Sequence, residues 1–103
     1  MPFYGAVSAA KAGLESHVRQ LALELGAAGG SVNAIRAGVA DTPAVRKIPA
    51  AELMLQEALR RNPGGRLTTP QDVAGAIAAL ALPGTEWITG NVIGVDGGED
   101  VTA

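Results

Sequence analysis

Apolar positions recur at helical spacing through the first quarter of the chain. Val7, Leu14, Val18, Leu21 and Leu25 fall at steps of three, four or seven, which predicts a helix from about Tyr4 to about Leu25. Ala6, Ala9, Ala10, Ala12 and Ala22 raise its helix propensity, and Glu15, Arg19 and Glu24 suit wetter parts of its surface. Gly26 and the Gly29-Gly30 pair predict where it stops. The run from Ser31 to Arg36, set between glycine clusters, then reads as a short strand, and Ala37 to Pro43 as a loop. A second helix is expected from about Ala50 to Arg61, with Leu53, Leu55 and Leu59 as its apolar members, before the break at Asn62-Pro63-Gly64-Gly65. The third helix has the sharpest start. Thr69 suits the N-cap, Pro70 the first helical position, and Asp72 sits three after the cap. Aspartate in place of Glu or Gln makes this an imperfect capping box. Val73, Ile77, Leu80 and Leu82 supply the apolar face, and Pro83-Gly84 closes it. A final strand from Asn91 to Asp96 ends at Gly97-Gly98.

The order is therefore helix, strand, two helices, strand: an α/β pattern. Strands joined by a helical crossover pair in parallel. Their Val/Ile content suits central strands of a larger parallel sheet, covered on both faces. A chain of 103 residues is one domain at most. Two strands and three helices leave strand edges and apolar surface open, so either partners cover them or the chain is part of something larger.

Composition narrows this further. Hydrophobic residues at 48% and charged residues at 17% indicate a globular chain, not a disordered one. Only 3% of residues are aromatic, while Ala and Gly abound, so close backbone packing should carry more weight than large side chains. The net charge of -2, with no basic patch, argues against a nucleic-acid partner. With no cysteine, disulfides and Cys-based metal sites are excluded. No signal core and no membrane-length apolar run stand out, so the expected setting is cytoplasmic, without a membrane partner.

Several residues are candidates for chemistry. Tyr4 and Lys11 are seven apart, close to two helical turns, and share a face. A lysine near a tyrosine favours the phenolate and can lower its pKa from about 10. Such a tyrosine can donate a proton, or stabilise an oxyanion at a carbonyl. On spacing alone, the plainer reading is a helix-start tyrosine beside an exposed lysine. Ser8 and Lys11 also fit the Ser-x-x-Lys pattern of penicillin-recognising hydrolases, but its companion Lys-Thr-Gly and Ser-Asp-Asn motifs are absent. The glycines from Gly26 to Gly30 match no phosphate-binding fingerprint and read as a helix stop and turn. His17 has no second His or Cys for a metal site, so it reads as structural or solvent-facing. Asp41 and Thr42 follow a strand end, where open α/β sheets bind ligands, though a simple Asp-Thr-Pro turn fits the same residues.

Taken in order, these segments resemble the short-chain dehydrogenases/reductases. The stretch Tyr4-Gly5-Ala6-Val7-Ser8-Ala9-Ala10-Lys11 is similar to their active-site helix, with the Tyr-x6-Lys spacing of enoyl-acyl-carrier-protein reductases instead of Tyr-x3-Lys. Val32-Asn33-Ala34-Ile35 followed by Ala37-Gly38 resembles their next strand and cofactor loop. Arg66 to Asp72 with the Ala-rich helix resembles their penultimate helix, and Ile88-Thr89-Gly90 through Val95-Asp96-Gly97-Gly98 their closing strand and turn. The resemblance implies the C-terminal half of a Rossmann-type doubly wound parallel sheet, with residues 1–103 forming a single partial domain. It also implies a truncated, NADH- or NADPH-dependent reductase of a double bond conjugated to a thioester. Tyr4 would stabilise the enolate, and Lys11 would hold the nicotinamide ribose. Ala37, Gly38, Val39 and Thr42 would contact nicotinamide and phosphates, and Pro43 to Leu59 would form a substrate lid. The implied partners are an acyl thioester or another carbonyl compound, and further copies of the chain in a homo-oligomer, or a missing N-terminal half. Alternatives within the same resemblance are a ketone or ketoacyl reductase and a non-catalytic oligomerising module. Arg36 departs from the pattern, which favours a small residue there.

Overall fold

The computed structural model describes residues 5–102. Helix α1 spans Gly5–Leu25 and tightens into a 3-10 turn at Gly26–Ala28, which ends at Gly29 with φ 81. The left-handed backbone there suits glycine, and its N–H returns to the Gly26 carbonyl as the helix stop predicts. Strand β1 covers Ala34–Ala37, helix α2 Pro43–Arg46, helix α3 Ala51–Arg61, helix α4 Pro70–Leu80 and strand β2 Val92–Val95. A 3-10 turn at Glu99–Thr102 follows.

Strands β1 and β2 form a two-stranded sheet. The Ala34 N–H donates to the Asn91 carbonyl, and the Gly38 N–H to the Val95 carbonyl, with the same sequence offset. A constant offset is the register of a parallel pair, as expected for strands joined by helices. Strand β1 starts later than the sequence pattern predicts. Ser31, Val32 and Asn33 stay irregular because side chains take part in their pairing: the Val32 N–H donates to Thr89 Oγ1, and the Asn33 amide bonds both Ile88 and Asn91.

The described chain divides into two compact units. One is built from the residues up to Ala34 together with Pro83–Ile93, the other from Ile35–Leu82 together with the residues from Gly94 onward. In the first unit α1 buries only Val18. In the second, α3 buries Ala51, Leu55 and Ala58. Those positions lie at i, i+4 and i+7, one helical stripe. Of the three leucines expected on that face, only Leu55 is there. Leu53 and Leu59 are exposed, because the stripe that α3 buries runs through Ala51, Leu55 and Ala58.

The start of α4 exceeds the expectation. The Asp72 N–H donates to Thr69 Oγ1 at 3.2 Å, and the Thr69 N–H donates to Asp72 Oδ2 at 2.8 Å, so the capping box is complete with aspartate. The same Thr-Pro signal at Thr42-Pro43 starts α2, a single turn within a stretch the sequence pattern leaves without a helix. Ala50 enters α3 with φ 60, a conformation that costs a non-glycine residue roughly 1–2 kcal/mol.

Candidate functional site

The candidate site lies in the second unit, where β1 ends. Glycine is required at position 38. A Cβ there would overlap Thr68 Oγ1 and come within 2.9 Å of the Asp96 Cβ. The glycine thus lets the end of β1 approach the residues that follow β2, while its N–H holds the Val95 carbonyl. Ala37 closes the strand and is exposed.

Val39 is pinned from both sides. Its N–H donates to the Glu99 carboxylate, at 3.2 Å to Oε2 and 3.4 Å to Oε1, and its carbonyl accepts from the Thr68 N–H at 3.2 Å. The next residue differs. Among the described residues, the N–H and C=O of half-buried Ala40 have no hydrogen-bond partner. These groups, like those of Asp41 after them, are open to solvent or to a ligand at the strand end, where open α/β sheets bind ligands. Sequence reasoning named Ala37, Gly38, Val39 and Thr42 and passed over Ala40, since an alanine carries no signal of its own.

Thr42 caps α2: its Oγ1 accepts from the Val45 N–H at 3.3 Å. Asp41 is clasped by Arg46, whose Nε and Nη2 reach its two carboxylate oxygens, each at 2.7 Å. Arg46 Nη1 also donates to Glu52, tying α2 to α3. The Arg46 guanidinium holds the Asp41 carboxyl below its usual range, mainly through these hydrogen bonds. Asp41 therefore remains an anion neutralised within the loop. The proposed lid segment, Pro43 to Leu59, is occupied by α2, the turn after it and most of α3.

A polar framework stands beside the loop. Asn62 is buried; its Nδ2 donates to the Asp96 carbonyl at 3.0 Å and its Oδ1 accepts from the Gly64 N–H at 2.8 Å. The Asp96 carboxylate in turn accepts from the N–H groups of Gly98 and Asp100, which closes the turn leading to Glu99. Gly97 has φ 63, and a Cβ there would come within 2.8 Å of Asn62 Oδ1. A cavity of about 410 Å³ opens between this framework and the start of α4, lined by Asn62, Arg66, Thr68, Asp72 and Asp96 among others. Arg66 donates two hydrogen bonds to Asp72, at 2.6 and 2.9 Å. They, with the Thr69 N–H, hold the Asp72 carboxyl well below the usual carboxylate range.

Arg36, the bulky departure in β1, is accommodated by Gly94. A Cβ on Gly94 would come within 2.9 Å of the Arg36 guanidinium. The guanidinium lies across that gap and pairs with Asp100 at 3.4 Å.

The remaining candidates belong to the first unit. Lys11 is exposed on α1, as are Ser8 and His17. Among the described residues no group of three His, Cys, Asp or Glu side chains is placed to hold a metal. Tyr4 lies outside the described residues. Ala37 ends β1, and Gly38, Val39 and Thr42 lie in the loop that follows it.

Comparison with known proteins yields a consistent set of relatives. The family profile described as enoyl-(acyl carrier protein) reductase matches residues 1–100. A cis-4-hydroxycyclohexanecarboxylate dehydrogenase of Sinomonas cyclohexanicum is 44% identical over 91 residues, 88% of this chain and 36% of that protein. The crystal structure of the NADH enoyl-acyl-carrier-protein reductase of Aquifex aeolicus superposes with a TM-score of 0.85 at 36% identity, covering 98% of this chain and 39% of that one. The Bacillus cereus enoyl-acyl-carrier-protein reductase, solved with NADP+ and an indole naphthyridinone, gives 0.89 at 35% identity, with 95% of this chain and 38% of that one covered. The chain therefore spans less than two-fifths of the length of these relatives. Among the described residues no helix is long and apolar enough to cross a membrane.

Proposed function

The chain belongs to the enoyl-acyl-carrier-protein reductase family within the short-chain dehydrogenases/reductases, and we propose that it forms the active-site portion of an NAD(P)H-dependent reductase of enoyl thioesters. In this reading residues 1–103 are one part of a single larger domain. The observation that carries it is Ala40. Its unpaired N–H and C=O at the end of a parallel strand match the acceptor and donor of a carboxamide such as that of nicotinamide. Thr42 supports the fit, because its hydroxyl accepts from the Val45 N–H and keeps its own proton to donate to a phosphate oxygen.

Lys11, the loop from Ala37 to Ala40, and Thr42 would hold the nucleotide, which supplies a hydride when bound. Tyr4 would donate a hydrogen bond to the thioester carbonyl, where negative charge develops as the enolate forms. The ammonium of Lys11 would lower the energy of that charge and fix the ribose. The substrate would be an acyl thioester, and the assembly a homo-oligomer with the rest of the fold.

The test is a calorimetric titration of the 103-residue protein with NADH and with NADPH, followed by assays on paired enoyl and ketoacyl thioesters. Saturable binding, weakened about tenfold by Lys11→Ala through loss of a charge-assisted contact, is expected. A folded sample that binds neither nucleotide would overturn cofactor binding by this chain alone. A second reading, reduction of a ketone or ketoacyl group, is favoured by the 44% identity to a hydroxy-acid dehydrogenase. Turnover of the ketoacyl thioester alone would establish it. The exposed leucines of α1 favour a third, an oligomerising module without catalysis, for which Tyr4→Phe would leave function intact.

A further inference from the structure

We propose that Glu99 is a positioning residue for the strand-end loop, holding Val39 so that the unpaired N–H and C=O of Ala40 are presented in fixed register. The proposal rests on the reading of that loop as the nucleotide site, and it adds a residue that no sequence motif in the chain singled out.

Three observations converge on it. First, the Glu99 carboxylate meets the Val39 N–H with both oxygens, while the Thr68 N–H takes the Val39 carbonyl. Val39 is thereby clamped on both edges of its backbone, directly before the residue whose groups are unpaired. A hydrogen bond from a backbone amide to a carboxylate is stronger than one to a neutral acceptor, so it suits a clamp. Second, the Glu99 backbone is held in an ordered turn. Its own N–H donates to the Asp96 carbonyl at 3.1 Å, and that carbonyl also accepts from the buried Asn62 amide. Asp96 orders the turn through its carboxylate, with bonds to Gly98 and Asp100. Third, the turn is tied to β1 again by the Arg36–Asp100 pair, which crosses Gly94. The clamp is thus mounted on a braced turn.

A purely structural role for Glu99 would stabilise the turn that carries it. A positioning role acts on the loop, 60 positions earlier in the sequence. The distinguishing readout is amide hydrogen exchange, resolved by residue with NMR, together with nucleotide affinity. Glu99→Ala should speed exchange at Val39 about tenfold, the weight of one charge-assisted hydrogen bond, and leave the turn amides of Gly98 and Asp100 within about twofold. Signals of Ala40 and Asp41 should move with Val39, and affinity for NADH or NADPH should fall about fivefold as the loop loses its preorganisation. Glu99→Gln keeps a carbonyl acceptor of the same reach, so it should restore most of both losses.

Unchanged Val39 exchange in a folded Glu99→Ala protein would overturn the proposal. So would lost Val39 protection with unaltered Ala40 signals and unaltered nucleotide affinity. If the wild-type chain binds neither nucleotide while Ala40 and Val39 still respond together, the clamp stands and the proposed function falls. Should Glu99→Ala fail to fold, the wild-type protein decides. Its Val39 amide nitrogen should show a scalar coupling through the hydrogen bond to the Glu99 side-chain carboxyl carbon. A Val39 amide without that coupling would overturn the contact.

Discussion

Helices α1 and α3 are both amphipathic in sequence, yet they end in opposite circumstances. Along α1, Leu14 is 57% exposed, and Val7, Leu21 and Leu25 are exposed with it; only Val18 is buried. Along α3, Leu55 is 5% exposed and Ala58 1%. Periodicity says that a face would gain from cover, and it does not say what supplies the cover. The second unit provides cover for α3 from its own residues. The first leaves the apolar stripe of α1 uncovered, in a chain that spans less than two-fifths of its relatives. The units are alike in another respect. Each fixes its strand segment with side chains that bond backbone groups: Asn33 and Thr89 in the first, Asn62 and Asp96 in the second.

The sharpest way to break this comparison is to truncate both helices. Leu55→Ala should lower stability by about 3 kcal/mol, through lost burial and the cavity it leaves. Urea unfolding followed by circular dichroism would measure it, and a loss under about 1 kcal/mol would contradict the burial of α3. A middle-sized effect is expected at the start of α4. Thr69→Ala should cost about 1 kcal/mol, the usual worth of an N-cap. Its partner Asp72 adds a pH signature. Because hydrogen bonds from Arg66 and Thr69 depress its pKa in the folded state, its contribution is full above the unfolded carboxylate pKa and is lost as pH falls through the folded value. Asp72→Asn should therefore be less stable than wild type at neutral pH, with the gap closing in strong acid. A gap that is constant across the acid range would discount the ion pair.

The smallest effect belongs to α1. Leu14→Ala should change stability by no more than about 0.5 kcal/mol in dilute protein, as for other exposed positions. A loss comparable to that of Leu55→Ala, and growing with protein concentration, would mean that a second copy covers this face.

How much was legible beforehand follows the range of each interaction. The start of α4 was readable from Thr69, Pro70 and Asp72, because a cap is made by residues three apart. The same signal at Thr42 and Pro43 began a helix of one turn, and nothing local told that it would stop at Arg46. Leu53 and Leu59 were plausible core residues by hydrophobicity, but the phase of the buried stripe was set by the neighbours that α3 meets. Arg36 departs from the family pattern, and Gly94, far along the chain, leaves the space for its guanidinium. In the candidate site, Gly38 was legible as a glycine at a strand end, and its cause, the approach of Thr68 and Asp96, was not. Ala40 and Glu99 were illegible altogether, since one acts through its backbone and the other through a partner far along the chain.

By itself, the sequence determined the order of the elements other than the one-turn α2, the glycine stops, the capped start of α4 and the family pattern, from Tyr4-x6-Lys11 to Gly97-Gly98. All of these depend on residues within a turn or two of each other, or on composition in order. Tertiary structure alone decided which apolar side chains are buried, which backbone groups at the end of β1 are spent and which remain unpaired, and that Glu99 reaches Val39. Those outcomes depend on where the chain returns in space, and local spacing carries no record of that return.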